Sequence, residues 1–328
     1  MSSAYIGRLA PSPTGALHLG NARTFMIAWL RARSQGGRLV FRMEDLDHPR
    51  DKPGAAAAAV EDLKWLGFDW DEEYVQSERK DLYREALERL HRDGRVYPCV
   101  CSRKDVENAQ SAPHAGEQLF YPGTCRDRFS SWRTAQDHLE REAHAQDAAS
   151  PRLCVRQPCW RFRVPDGTVV RFDDVFAGAF EQDVSHTLGD FPVARDAFGA
   201  GYTLAVAVDD ALMGVTEVVR GDDLLAATPA QILLYRALGY EPPAFCHVPL
   251  VVGTDGRRLA KRHGDTRIAS YRAAGRTPEQ LLGQLAATCG WGDGSPVSLR
   301  DLLPRFTLET IPHAPAVWTD PAALPAMS

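Results

Sequence analysis

Two separated runs of residues carry the chemistry legible in this chain. The first is Pro11-Ser12-Pro13-Thr14-Gly15-Ala16-Leu17-His18-Leu19-Gly20-Asn21; the second, far downstream, is Arg258-Leu259-Ala260-Lys261-Arg262. The first follows an apolar segment over 4–10 and opens into 22–32, where Phe25, Ile27, Ala28, Trp29 and Leu30 suit a buried helix. The order is strand, turn, helix, with Pro11, Pro13 and Gly15 ending the strand. The free amides and positive dipole end of such a helix favour anionic phosphate. His18 can then hydrogen-bond phosphate oxygens, and Gly20 leaves room for a nucleotide to approach the backbone. An ordinary turn with a surface histidine fits a bare His-x-Gly match, and the upstream proline and glycine spacing is what favours a nucleotide site. Before the second run, Asp255-Gly256 signals a tight turn. A loop carrying Lys261 can place an ammonium charge on a triphosphate as negative charge develops at the α-phosphorus. Such a loop is otherwise simply solvated; its order and spacing relative to the first run favour a split site that activates a carboxylate with ATP.

The elements that must position these runs read as α/β. Residues 38–44 form a second strand and 54–66 a helix with Val60, Leu63 and Leu66 on one face. A further helix over 80–93 places Leu82, Ala86, Leu87 and Leu90 at helical spacing. Strands alternating with helices predict a parallel sheet. Regularity weakens over 103–151, a polar stretch read as an insertion. It returns in a hairpin-like segment over 160–167, a strand over 217–221, a helix over 229–238 opened by proline, and a last helix over 278–289. The expected division is 1–98 and 161–265 for the two halves of a catalytic domain, 99–160 for an insertion, and 266–328 for a short helical region and tail.

Composition sets the class. The chain has 328 residues, 44% hydrophobic and 25% charged, which is ordinary for a soluble globular protein with more than one module. No apolar stretch suits a bilayer span or a signal peptide, so a cytoplasmic protein is expected. A net charge of -5 excludes a generally basic nucleic-acid coat and requires any RNA to meet a local basic patch; Arg126, Arg128 and Arg133 are candidates, equally readable as a solvated face. Seven cysteines, unevenly spread, argue for thiols or metal ligands over a secreted disulfide framework. Cys99-Val100-Cys101 and Tyr121-Pro122-Gly123-Thr124-Cys125 supply three thiols and a phenol, enough for a closed tetrahedral zinc site. Two buried thiols and a packed aromatic are the plainer alternative, with His114 a substitute for Tyr121 as fourth donor.

The first run resembles the His-Ile-Gly-His signature of class I aminoacyl-tRNA synthetases in its glutamyl-branch form, which the Pro-Ser-Pro-Thr-Gly run precedes. Here it reads His18-Leu19-Gly20-Asn21. The second is similar to that family's Lys-Met-Ser-Lys-Ser loop. The resemblance extends from about Tyr5 to about Gly290 and implies a Rossmann-like fold. It also implies ATP contacts from Pro11, Thr14, Gly15, His18, Gly20, Asn21, Arg258, Leu259, Ala260, Lys261 and Arg262, with His18 and Lys261 catalytic. Positions matching Arg8, Ser12, Glu44, Tyr202 and Arg220 line the family's glutamate pocket; arginine suits a planar carboxylate by bidentate bonding. The cysteine pattern resembles the zinc element of the glutamyl-queuosine tRNA(Asp) branch, with Cys99, Cys101, Tyr121 and Cys125 as ligands. Together with a C-terminal region too short for a helical anticodon-reading domain, this implies tRNA-independent activation of L-glutamate and its transfer to queuosine in tRNA(Asp), with Mg2+ accompanying ATP, one structural Zn2+ and a monomeric chain. The alternatives are a truncated enzyme charging tRNA(Glu), a small-molecule adenylate-forming ligase and a noncatalytic RNA-binding relative.

Overall fold

The computed structural model describes residues 4–46, 53–109, 120–146, 156–196, 199–257, 259 and 266–319. The N-terminal half is a run of parallel crossovers. Strand β1 (Ile6–Leu9) leads through helix α1 (Leu19–Ser34) to β2 (Arg38–Met43), then through α2 (Ala55–Trp65) to β3 (Glu72–Val75). The strands pair in the order β1-β2-β3, with Ile6 opposite Arg38 and Val40 opposite Glu72. Every residue of β1 is buried, as expected of a parallel strand covered on both faces. Helix α1 is buried nearly all round by Leu19, Ala22, Met26, Ile27, Trp29 and Leu30, so packing rather than amphipathic patterning holds it.

Helix α3 (Lys80–Arg92) leads to β4 (Val96–Cys99), α4 (Arg103–Ala109), α5 (Trp132–Gln146) and β5 (Cys159–Phe162). Next come β6 (Val169–Asp174), β7 (Gly178–Asp183), α6 (Val184–Thr187) and β8 (Phe191–Ala194). Strand β5 is the middle of an antiparallel sheet, β4-β5-β8. The hairpin expected over 160–167 is therefore displaced: β5 does not fold back on itself, and the hairpin is β6–β7, with Val169 opposite Asp183. Trp160 and Phe162 bury better between two neighbouring strands than a short exposed ribbon would allow.

The chain returns through α7 (Tyr202–Leu212), β9 (Glu217–Gly221), α8 (Thr228–Ala237) and β10 (Ala244–Val248), where β9 and β10 form a second parallel pair. The Thr216 amide donates to Ile6 O at 2.9 Å and the Ile6 amide to Thr216 Oγ1 at 2.9 Å, bringing β9 alongside β1. Strand order thus departs in opposite directions from β1 and β9, which makes their carboxyl ends a topological switch point.

Beyond it lie β11 (Val251–Val252), α9 (Ile268–Ala273), α10 (Pro278–Ala287) and β12 (Ala316–Val317). This region is packed into the core around α1. Leu281, Leu285, Trp291, Leu302, Ile311 and Trp318 share one buried cluster with α1, and β12 pairs with β11. Buried Arg23 of α1 donates to Pro249 O (2.7 Å) and to Thr288 Oγ1 (2.8 Å), stapling α1 to the entry of β11 and the end of α10.

Candidate functional site

The turn from β1 into α1 alternates: Pro11, Pro13 and Leu17 are buried while Ser12, Thr14 and Ala16 face out. A Cβ on Gly15 would meet no protein atom within 4 Å, so the turn is open on that side. At Gly20 a Cβ would stand 3.1 Å from the His18 ring; this glycine makes room for His18. Asn21 closes the helix start, its Oδ1 accepting the His18 amide at 3.3 Å, as the third helical residue does in a capping box. That leaves the Asn21 Nδ2 as its remaining donor.

The flanks of the second run meet this turn. The expected tight turn is present, with Gly256 at φ 70° and its amide donating to Gly253 O. Past the run, the Leu19 amide donates to Thr266 O and the Ile268 amide to Leu17 O, so residues 266–268 lie against the start of α1. Arg258, Ala260, Lys261 and Arg262 fall outside the described residues; Leu259 is partly buried against the α1 core.

Four of the five expected pocket residues share charged neighbours at the switch point. Arg8, at the end of β1, donates from Nη1 to Val219 O at 2.8 Å, and its Nε lies 4.0 Å from Asp210. Glu44 follows β2, and its amide donates to Pro11 O at 2.9 Å, tying the strand end to the turn. Its carboxylate pairs with Arg42 at 3.1 Å rather than with Arg8. Burial raises the Glu44 pKa against the pull of Arg42 and Arg8. Tyr202 opens α7 with 43% of its surface exposed, and its phenol interacts electrostatically with Glu44, Arg220, Arg8 and Arg42. Ser12 is exposed on the turn beyond β1.

Arg220, at the end of β9, is buried. Its Nε donates to His247 Nε2 at 3.0 Å and its Nη2 to Thr228 Oγ1 at 2.8 Å, while Nη1 is buried with no hydrogen-bond partner. Burial and the like charge of Arg8 lower its pKa against the pull of Tyr202. Buried donors are almost always satisfied, so an unpaired guanidinium nitrogen under cationic stress suits an anion. Behind the pocket, Arg42 pairs with Asp210 at 2.6 Å and Asp209 accepts from Arg79 at 2.7 Å. Spacing gives His247, Thr228 and Arg42 no role, and Asp209 and Asp210 none beyond their place in the run that carries Tyr202. Their partners lie far away in the chain, and no local spacing joins them.

In the insertion, Cys99, Cys101 and Cys125 place their sulfurs within 4.8 Å of one another, a group that can hold a metal ion. The Cys101 and Cys125 sulfurs are 3.6 Å apart, and the Tyr121 hydroxyl lies 3.3 Å from Cys99 Sγ and 3.6 Å from Cys101 Sγ. Sulfurs bound at about 2.3 Å around a tetrahedral zinc stand about 3.8 Å apart, so the donor set fits. Arg161 lies over the Tyr121 ring at 3.9 Å and points Nε to Cys99 Sγ at 3.3 Å, offsetting negative charge. His114 lies outside the described residues. Arg126 is turned inward to Asp190 at 2.7 Å, and Arg133 pairs with Asp137.

The family model described as tRNA synthetases class I (E and Q), catalytic domain, matches residues 6–311. The chain belongs to this class I tRNA synthetase family. Among other members, it is 50% identical to a glutamyl-Q tRNA(Asp) synthetase of Symbiobacterium thermophilum, across 94% of each chain. It is 45% identical to a protein of the same name from Rhodopirellula baltica, across 98% of each. A glutamate--tRNA ligase of Hydrogenobaculum is 39% identical, and there the match covers 95% of this synthetase but 65% of the ligase. The crystal structure of a glutamate tRNA ligase from Elizabethkingia meningosepticum in complex with its amino acid superposes with a TM-score of 0.77 at 26% identity, covering 97% of this synthetase and 67% of the other. Among the described residues, no helix of this family member is long and apolar enough to cross a membrane.

Proposed function

We propose that this synthetase activates L-glutamate with ATP without tRNA and transfers the glutamyl group to queuosine at the wobble position of tRNA(Asp). The observation that carries the first step is the buried Arg220 Nη1, unpaired beside Arg8 and Tyr202 at the switch point, with the Glu44 carboxylate acting on the same Arg8 and Tyr202. Two guanidinium groups suit carboxylate and one carboxylate suits ammonium, the charges of an amino acid with an acidic side chain. Ser12 and Tyr202 complete this pocket. In the reaction a glutamate carboxylate oxygen attacks the α-phosphorus, the bond to the β-phosphate oxygen breaks, and pyrophosphate leaves. His18 and Lys261 offset the charge that develops on the phosphates. Pro11, Thr14, Gly15, Gly20 and Asn21 on one side, with Arg258, Leu259, Ala260 and Arg262 on the other, hold ATP, which Mg2+ would accompany. A hydroxyl of the queuosine ring then attacks the acyl carbon and AMP leaves, with no side-chain nucleophile required.

The choice of acceptor is supported by the relatives named glutamyl-Q tRNA(Asp) synthetase, which match this chain over nearly the whole of both lengths. Cys99, Cys101, Tyr121 and Cys125 would hold Zn2+ as a closed, structural site, contributing folding energy rather than chemistry. Pyrophosphate exchange without RNA tests the activation step. Glutamate should support it and glutamine should not; exchange that requires tRNA would overturn the tRNA-independent reading.

A further inference from the structure

Behind Arg220 runs a buried chain of polar groups that neither signature contains. Arg220 Nε donates to His247 Nε2 at 3.0 Å, and His247 Nδ1 faces Asp174 Oδ2 at 2.6 Å. Asp174 is itself fixed, its Oδ1 accepting the amides of Phe176 (3.0 Å), Ala177 (2.8 Å) and His247 (3.0 Å). The His247 and Asp174 side chains are both fully buried. A guanidinium only donates, so His247 Nε2 must accept. The imidazole proton therefore sits on Nδ1 and goes to Asp174, which makes the ring neutral with one tautomer allowed. Thr228 Oγ1 accepts from Nη2 on the other flank, and two of the guanidinium nitrogens are held while Nη1 remains.

We propose that Asp174 and His247 are positioning residues for glutamate recognition: Asp174 fixes the His247 tautomer, and His247 holds the Arg220 guanidinium so that Nη1 is left for a substrate carboxylate. The proposal rests on the reading of Arg220 as part of the glutamate pocket. It explains why a neutral histidine stands behind a binding arginine where a carboxylate would neutralise it. The groups that act on His247 are Asp174 from β6, Arg220 from β9, Asp222 just beyond β9, Thr228 from α8 and Arg8 from β1. Burial and the two arginines hold its pKa below the ordinary 6.5 against the pull of Asp174. Protonation at Nε2 would set one N–H against another, so glutamate affinity should be level above pH 6.5 and fall as pH drops through that lowered value.

Asp174→Asn tests the tautomer directly. Its Oδ1 can keep the three amides while Nδ2 donates to His247 Nδ1, which moves the imidazole proton to Nε2, against Arg220. In pyrophosphate exchange the KM for glutamate should rise roughly 10- to 100-fold, the worth of one hydrogen bond to a charged group. The rate at saturating glutamate and the KM for ATP should change by less than about threefold. In the unaltered protein, nitrogen NMR of the imidazole should show Nδ1 protonated and Nε2 bare. An unchanged glutamate KM in D174N, or a proton on Nε2 in the unaltered protein, overturns the proposal, and the NMR result decides alone if D174N does not fold. Absence of glutamate-dependent exchange in the unaltered protein would instead remove the functional reading beneath it.

Discussion

Gly20 is the second residue of α1, and a Cβ built on it would stand 3.1 Å from His18 Cε1 and 3.2 Å from His18 Nδ1, with Val251 Cβ next at 3.9 Å. Comfortable contacts between such atoms begin at about 3.5 Å, so in Gly20→Ala the imidazole must retreat by a few tenths of an ångström. The backbone at Gly20 is helical, and alanine there gains at most about 0.5–1 kcal/mol of helix stability. For a chain of this size that amounts to a melting temperature unchanged or raised by about 2 °C. Catalysis should move the other way. Misplacement of a reacting group by about 1 Å costs roughly 100-fold, so a shift of less than half that should lower kcat/KM for ATP in pyrophosphate exchange about 3- to 10-fold. Thermal melting and exchange kinetics on the same preparation separate the two effects. A variant at least as stable as the parent with unchanged kcat/KM would refute the idea that Gly20 serves the placement of His18, and a melting temperature lowered by several degrees would make the contact structural.

Other outcomes follow from the same geometry. Arg23→Met keeps the apolar stem but leaves Pro249 O and the Thr288 acceptors without their donor. At about 1–3 kcal/mol for each buried unsatisfied group, calorimetry should show a loss of roughly 2–5 kcal/mol, and a loss under about 0.5 kcal/mol would contradict the staple. Cys125→Ser should release metal from protein purified with it, read by elemental analysis, and should loosen the cluster of Tyr97, Cys99, Val106, Tyr121 and Leu139; full metal retention would remove Cys125 from the ligand set. Acid titration should show two stages. His247 is held below 6.5 and Asp174 below 3.8 in the folded protein, so the unfolded chain takes up each proton first as pH falls. Their stability is present above those values and is lost below about pH 6.5 for His247 and below about pH 3.8 for Asp174. Urea midpoints that rise on acidification from pH 7 to 5 would contradict the His247 assignment.

Much of this was legible in the sequence because it was local. Strand 217–221 and the helix starting at Lys80 emerge as expected, since apolar periodicity acts over a few positions. The turn around Pro11–Gly15 and the tight turn at Asp255-Gly256 are fixed by backbone restrictions that proline and glycine carry wherever they stand. The role of β5 was not legible, because a strand with two neighbours looks in sequence like one arm of a hairpin. Nor was the Asp174–His247–Arg220 chain, whose members lie on three strands and become neighbours only when β9, β10 and the β6–β7 hairpin close around one another. The burial of 281–318 against α1 was hidden for the same reason: scattered tryptophans and leucines show what they cover only once the core is built.

The central claim is tested most directly by incubating the purified protein with ATP, labelled glutamate and three RNAs: tRNA(Asp) containing queuosine, tRNA(Asp) without it, and tRNA(Glu). Label is expected only on the queuosine-containing RNA; label on tRNA(Glu), or on tRNA(Asp) regardless of queuosine, would contradict glutamyl transfer to queuosine.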